Sequence, residues 1–173
     1  MDARRETNNI FKQLERFQNT IGEGIIWFRF DTSTSVYDDV YDEGGRTYLP
    51  GLAVPVLWID QIEDTETYSA EGRRPTQRFR SAVSAKAMAE AGIGGTEAHG
   101  GRLWDTKPDG KPWWDDRSND VIYYDGRFYE ISNFQIRGRV RSGGDVIIGI
   151  SGIETQHIDE RVWDLFPANI GVT

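Results

Sequence analysis

Residues 120–140 read DVIYYDGRFYEISNFQIRGRV, two β-rich runs on either side of Asp125-Gly126. Val121 and Tyr123 alternate with Ile122 and Tyr124, the period of a half-buried strand. Asp-Gly between two such runs signals a tight hairpin, because both central residues of a type I′ turn take φ > 0. A second turn, SGGD (Ser142 to Asp145), leads into VIIGISGIE, a strand notched by Gly149 and Gly152. Two turns about 18 residues apart predict an antiparallel meander of three strands.

The same reading extends upstream. TQRFRSAVS (76–84) puts Phe79, with Ser81 and Val83, on one face and Arg78 and Arg80 on the other. Ser84 then caps AKAMAEAG, a short helix of strong helix formers that stops at Gly92, with Met88 as a core contact. GIIWFRFD (24–31) is β-branched and aromatic, hence a strand. LAVPVLWIDQIED (52–64) is another, and Pro55 puts it at an edge or a bulge. The polar stretch 32–51 between them reads as loop with a short strand pair inside it, and TETYSAEGRRP (65–75) reads as a turn region.

At the N-terminus, Ile10, Leu14, Phe17 and Ile21 recur at helical spacing. Thr7, Asn8 or Asn9 is the expected cap, Gly22 and Gly24 the expected stop, and the apolar stripe the expected core contact. Residues 92–119 break every pattern, with six glycines, two prolines and three tryptophans. So long a loop is uncommon in a compact domain and is often functional. The tail, 156–173, reads as a short helical turn and an extended end. The expectation is one mainly β (α+β) domain over 1–173: helix 1–22, first β part with the short helix 24–91, long loop 92–119, meander 120–155 and tail 156–173. Its architecture is a small antiparallel β-barrel or sandwich decorated by helices.

Composition sets limits on function. The 173 residues suit one domain, and 38% hydrophobic residues with 12% aromatics are enough for a core. Twenty basic against 28 acidic residues give a net charge of −8, a poor basis for clamping duplex DNA. The absence of cysteine excludes disulfides, thiolate metal sites and cysteine nucleophiles. No apolar run approaches a membrane span of about 20 residues, and MDARRETNN lacks a signal core, so a soluble, unexported chain is expected.

Motifs for chemistry are weak. The two histidines, His99 and His157, have no G-x-S-x-G elbow beside them. Asp38, Asp39, Asp42 and Glu43 lack calcium-loop spacing, and a solvated acidic loop is the plainer reading. GIGGTEAHGG has the glycines of a phosphate cradle, but it follows a helix and lacks the lysine. Trp104, Trp113 and Trp114 suit either a stacking platform or a small core under the loop. Arg78 with Arg80, and Arg137, Arg139 and Arg141, form basic ribbons that meet either solvent or the acidic patch of a neighbouring subunit.

Two segments, TSVYDDVYDEGGRTYLPGLAVPVLW (34–58) and RSNDVIYYDGRFYEI (117–131), together resemble the neck proteins of tailed bacteriophages, in the head-to-tail connector group called stopper or head-completion proteins. The first is a tyrosine- and acid-rich lead through a Leu-Pro step into a strand. The second carries Asp120, Ile122, Tyr124, Asp125, Gly126, Tyr129, Glu130 and Ile131 in the pattern of that group's hairpin. The resemblance implies a non-enzymatic virion protein at the neck, assembled in the host cytoplasm, with no cofactor, no metal and no membrane. It implies a homo-oligomeric ring between a portal or adaptor protein and tail proteins, which extends the DNA channel and helps retain packaged DNA that passes without specific binding. Tyr37, Asp38, Asp39, Tyr41, Asp42, Arg137 and Arg139 are then candidate interface residues. Glu71, Arg73, Arg74, Trp104, Trp113 and Trp114 are candidate channel or docking residues, with loop 65–74 or loop 92–102 expected to face the channel. The alternatives are a carbohydrate- or cell-surface-binding module using the tryptophans, a metal-dependent hydrolase using Asp38, Asp39 and Asp42, and, within the same class, a neck adaptor or tail terminator.

Overall fold

The computed structural model describes residues 3–31, 33–34, 46–69, 72–93, 119–139, 145–155, 158 and 160–168. Helix α1 (Ala3–Ile21) leads into β1 (Gly24–Phe28), β2 (Leu52–Pro55), β3 (Trp58–Ser69) and β4 (Gly72–Ser84). Helix α2 (Ala85–Glu90), β5 (Val121–Tyr124), β6 (Arg127–Arg139) and β7 (Asp145–Thr155) follow, with a 3₁₀ turn at Glu160–Leu165. The strands form one antiparallel sheet of seven, in the order β2-β1-β5-β6-β7-β4-β3. The expected meander is the centre of it. Asp125 and Gly126 take φ of 48° and 77°, as a type I′ hairpin requires.

The two edge strands, β2 and β3, are consecutive in sequence. Val56 N–H donates to Glu23 O at 3.2 Å beside β1, and Leu57 N–H donates to Ala82 O at 2.7 Å on β4. The chain therefore passes from one edge of the sheet to the other within two residues. The sheet must curl until its edges meet there, although no ladder closes it, and the result is a sandwich-like curl around one interior. Pro55, as expected, sits at the end of an edge strand, where its missing N–H leaves no ladder bond unmade.

Inward side chains from six strands fill that interior: Ile25, Trp27, Val54, Phe79, Val83, Ile122, Tyr129, Phe134, Ile148 and Ile150, capped by Met88 of α2. Trp27 and Phe134 stack across it at 6.1 Å. Ser84 Oγ accepts from Ala87 N at 3.0 Å, and Gly92 at φ 72° ends α2, as the sequence predicts. β1 is buried on both faces, which explains its unbroken apolar run. Its outward residues Ile26 and Phe28 join Tyr48, Val121, Phe128 and Val162 in a second cluster beneath the 3₁₀ turn.

Three expectations need correction. Residues 65–69 and 72–75 are strand and not turn: Tyr68 pairs with Arg73 and Ser69 with Gly72, so they are the far end of the β3/β4 hairpin, with a bulge between Asp64 and Thr67. Arg73 and Arg74 are thus strand positions. Helix α1 starts at Ala3, ahead of the expected caps at Thr7 to Asn9. Its apolar stripe is also not the buried face, since Phe17 is 54% exposed and Ile10 37%, whereas Gln18 is buried. Gln18 Nε2 donates to Pro55 O at 3.3 Å, and Glu15 pairs with Lys86 of α2. At about 100° per residue, Gln18 stands roughly 80° round from Ile10, so the helix docks on one flank of its stripe.

Two substitutions test the packing. A Cβ at Gly51 falls 2.7 Å from Ile26 Cγ2 and 2.8 Å from Phe28 Cε1. Gly51→Ala should therefore lower stability by about 1–3 kcal/mol in urea unfolding. Ser81 Oγ is buried without a hydrogen-bond partner. Ser81→Ala should be neutral or stabilising by about 1 kcal/mol in the same assay.

Candidate interaction surface

The described parts of the two segments that carry the neck-protein resemblance, residues 46–58 of the first and 119–131 of the second, meet in space. Asp120 is fully buried where the second segment enters β5. Its Oδ2 accepts from Trp27 Nε1 at 2.8 Å and its Oδ1 from Phe30 N at 2.8 Å. Phe30 bridges to Tyr48 of the first segment, and their rings meet edge-on at 6.1 Å. Arg46 Nη1 donates to Glu130 Oε1 at 2.6 Å, a half-exposed ion pair between the two segments. Burial raises the Tyr48 phenol above its ordinary range, so it stays neutral beside that pair. The same holds for Tyr129, raised chiefly by burial, whose hydroxyl accepts from Gln61 Nε2 at 3.0 Å and donates to Gln77 Oε1 at 3.3 Å.

Among the described residues, no three metal-ligating side chains come together. A shallow cavity of about 100 Å³ lies between Arg46, Thr47, Tyr48, Arg161, Val162 and Leu165. Pockets for small organic ligands start at about 300 Å³. The surface is more telling. Trp163 of the 3₁₀ turn is 51% exposed, stacked on Phe166 at 5.3 Å and edge-on to Phe128 at 5.2 Å. Trp58 on β3 and Ile153 on β7 are also exposed. Sequence reasoning missed Trp163 as a surface aromatic; its position in a short polar helical turn was the available signal.

Of the predicted interface residues, Arg137 is exposed on β6, with its stem across Gly149: a Cβ there would lie 3.0 Å from Arg137 Nε. Arg139 is two positions on, in register with Asp145. Arg80 of the other basic ribbon stands opposite Asp60, so that ribbon faces opposite charge within its own sheet. Tyr37, Asp38, Asp39, Tyr41, Asp42, Glu71, His99, Trp104, Trp113, Trp114 and His157 lie outside the described residues. No helix among the described residues is long and apolar enough to cross a membrane.

The buried joint should dominate the exposed one. Asp120→Ala strands the Trp27 and Phe30 donors and should lower unfolding free energy by about 2–4 kcal/mol. Glu130→Gln, at a half-exposed ion pair, should change it by less than about 1 kcal/mol. Urea unfolding of the two variants checks the order.

No protein-family model matches the chain, and no curated protein matches it. Among solved structures it is similar to a chain described as "Virion of native gene transfer agent (GTA) particle", at 12% identity and a TM-score of 0.37. That likeness covers 77% of this chain and 94% of the other, and is too slight to assign a fold or a role.

Proposed function

We propose that this chain is a structural virion protein that acts by assembly rather than catalysis, as a neck component joining the head of a tailed particle to its tail. The observation that carries the reading is the joining of the two neck-like segments through Asp120, Phe30–Tyr48 and Arg46–Glu130. A resemblance scattered over unrelated parts of the fold would mean little. Here the described residues of both build one corner of the sheet.

In this reading the subunits form a homo-oligomeric ring between a portal or adaptor and the tail, and DNA passes through it. The net charge of −8 suits a channel wall that does not hold phosphates. Exposed Trp163, Trp58 and Ile153 are the kind of anchors that bury at protein contacts. Adaptor and tail-terminator roles belong to the same class and differ in which neighbour the ring touches.

Mass photometry of the purified chain, followed by negative-stain imaging with purified portal or tail, tests the reading. Rings, alone or on either partner, are the expected result. A monomer that ignores both partners would contradict it.

A further inference from the structure

The cavity beside the 3₁₀ turn is too small for an organic ligand, but its walls are not neutral. At about 100 Å³ it has room for one compact group. Arg46 and Tyr48 reach it from the segment ahead of β2, and Arg161 and Leu165 from the turn Glu160–Leu165. Among the described residues that line it, two are arginines and none is acidic. Two guanidiniums at one small cavity repel each other unless an anion stands between them. That they converge here, in a chain of net charge −8, sets this corner apart from the average surface.

Tyr48 adds an independent observation. It is only 8% exposed, and burial keeps its phenol protonated. Its ring packs edge-on against Phe30. Among the described residues, however, no acceptor takes its O–H proton. Buried polar groups are nearly always paired, and an unpaired one is costly. The Arg46 guanidinium lies beside the phenol, but a guanidinium can only donate. Arg46 Nη1 is given to Glu130, which fixes the group in place and leaves it further N–H donors. Arg161 has a contact elsewhere as well, and its fork of donors can serve more than one acceptor. The Thr47 hydroxyl is already spent: Thr34 Oγ1 donates to Asp31 Oδ2, so Thr47 Oγ1 donates to Thr34 at 2.6 Å. The phenol and the guanidiniums therefore share one unmet need, an acceptor, and a negatively charged one suits the arginines.

We infer that this cavity is an oxyanion site, which takes one phosphate or carboxylate group between the Tyr48 phenol and the Arg46 and Arg161 guanidiniums. The anion accepts the phenol proton and the guanidinium N–H groups together, and such charge-assisted, multidentate bonds are the strong ones. It also ties residues 46–48 to the 3₁₀ turn, two stretches far apart in sequence. The site goes beyond the assembly reading and does not depend on ring formation.

Isothermal titration calorimetry of the full chain with sodium phosphate, and separately with sodium acetate, tests it, with sodium chloride at equal ionic strength as the blank. One-site binding of at least one of the two anions is the expected result. The tighter-bound of the two names the source, a phosphate group or a protein carboxylate. Tyr48→Phe keeps the ring and removes the donor, and Arg161→Gln removes a charge at an exposed position. Each should weaken binding by about tenfold or more. Circular dichroism confirms that both variants keep the fold. No binding of either anion to the wild type, or the same affinity in the wild type and both variants, overturns the site.

Discussion

The carboxyl of Asp120, held by the Trp27 indole and the Phe30 amide, is the constraint on which the rest of this structure depends. It lies where β1 leaves the sheet and β5 enters it. β1 is the strand buried on both faces, so whatever fixes its end fixes both hydrophobic clusters. A buried polar group without partners costs about 1–3 kcal/mol, and two donors share this one acceptor group. The satisfied joint is therefore specific in a way that apolar packing is not: only one register of β1 against β5 meets both donors. Exposed ion pairs such as Arg46–Glu130 contribute about 0–1 kcal/mol each and decorate a geometry already set.

From that joint the sheet runs outward in both directions until the chain itself connects its edges at Val56 and Leu57. Curling follows from covalent continuity, and it leaves edge strands that need protection. Proline and a carboxylate cap block two of them, the β2 edge and the distal end of β4.

Much of this was legible in the residues. Asp125-Gly126, the Ser84 cap and the alternation of Phe79, Ser81 and Val83 act through local backbone chemistry, and each takes its expected form. What was not legible depends on distant partners. Residues 65–75 have the composition of a turn, yet cross-strand pairing with β4 draws most of them into a hairpin. The α1 stripe shows which residues are apolar but not which flank finds a surface. Gln18 is buried because the Pro55 carbonyl awaits a donor, a fact of the far side of the fold. Asp120 is one residue of a recognisable hairpin pattern, and nothing near it in sequence announces Trp27 as its partner. Among the candidate interface residues, Arg137 is exposed on β6 with its stem across Gly149, while the acidic lead 37–42 and the tryptophans 104–114 lie outside the described residues.

Amide hydrogen exchange of the wild type and of an Asp120→Asn variant tests the central claim that the buried carboxyl fixes β1 against β5. The account predicts that the variant loses protection in β1 and β5 first, with the β3/β4 hairpin little changed. Unchanged protection in β1 and β5 would contradict it.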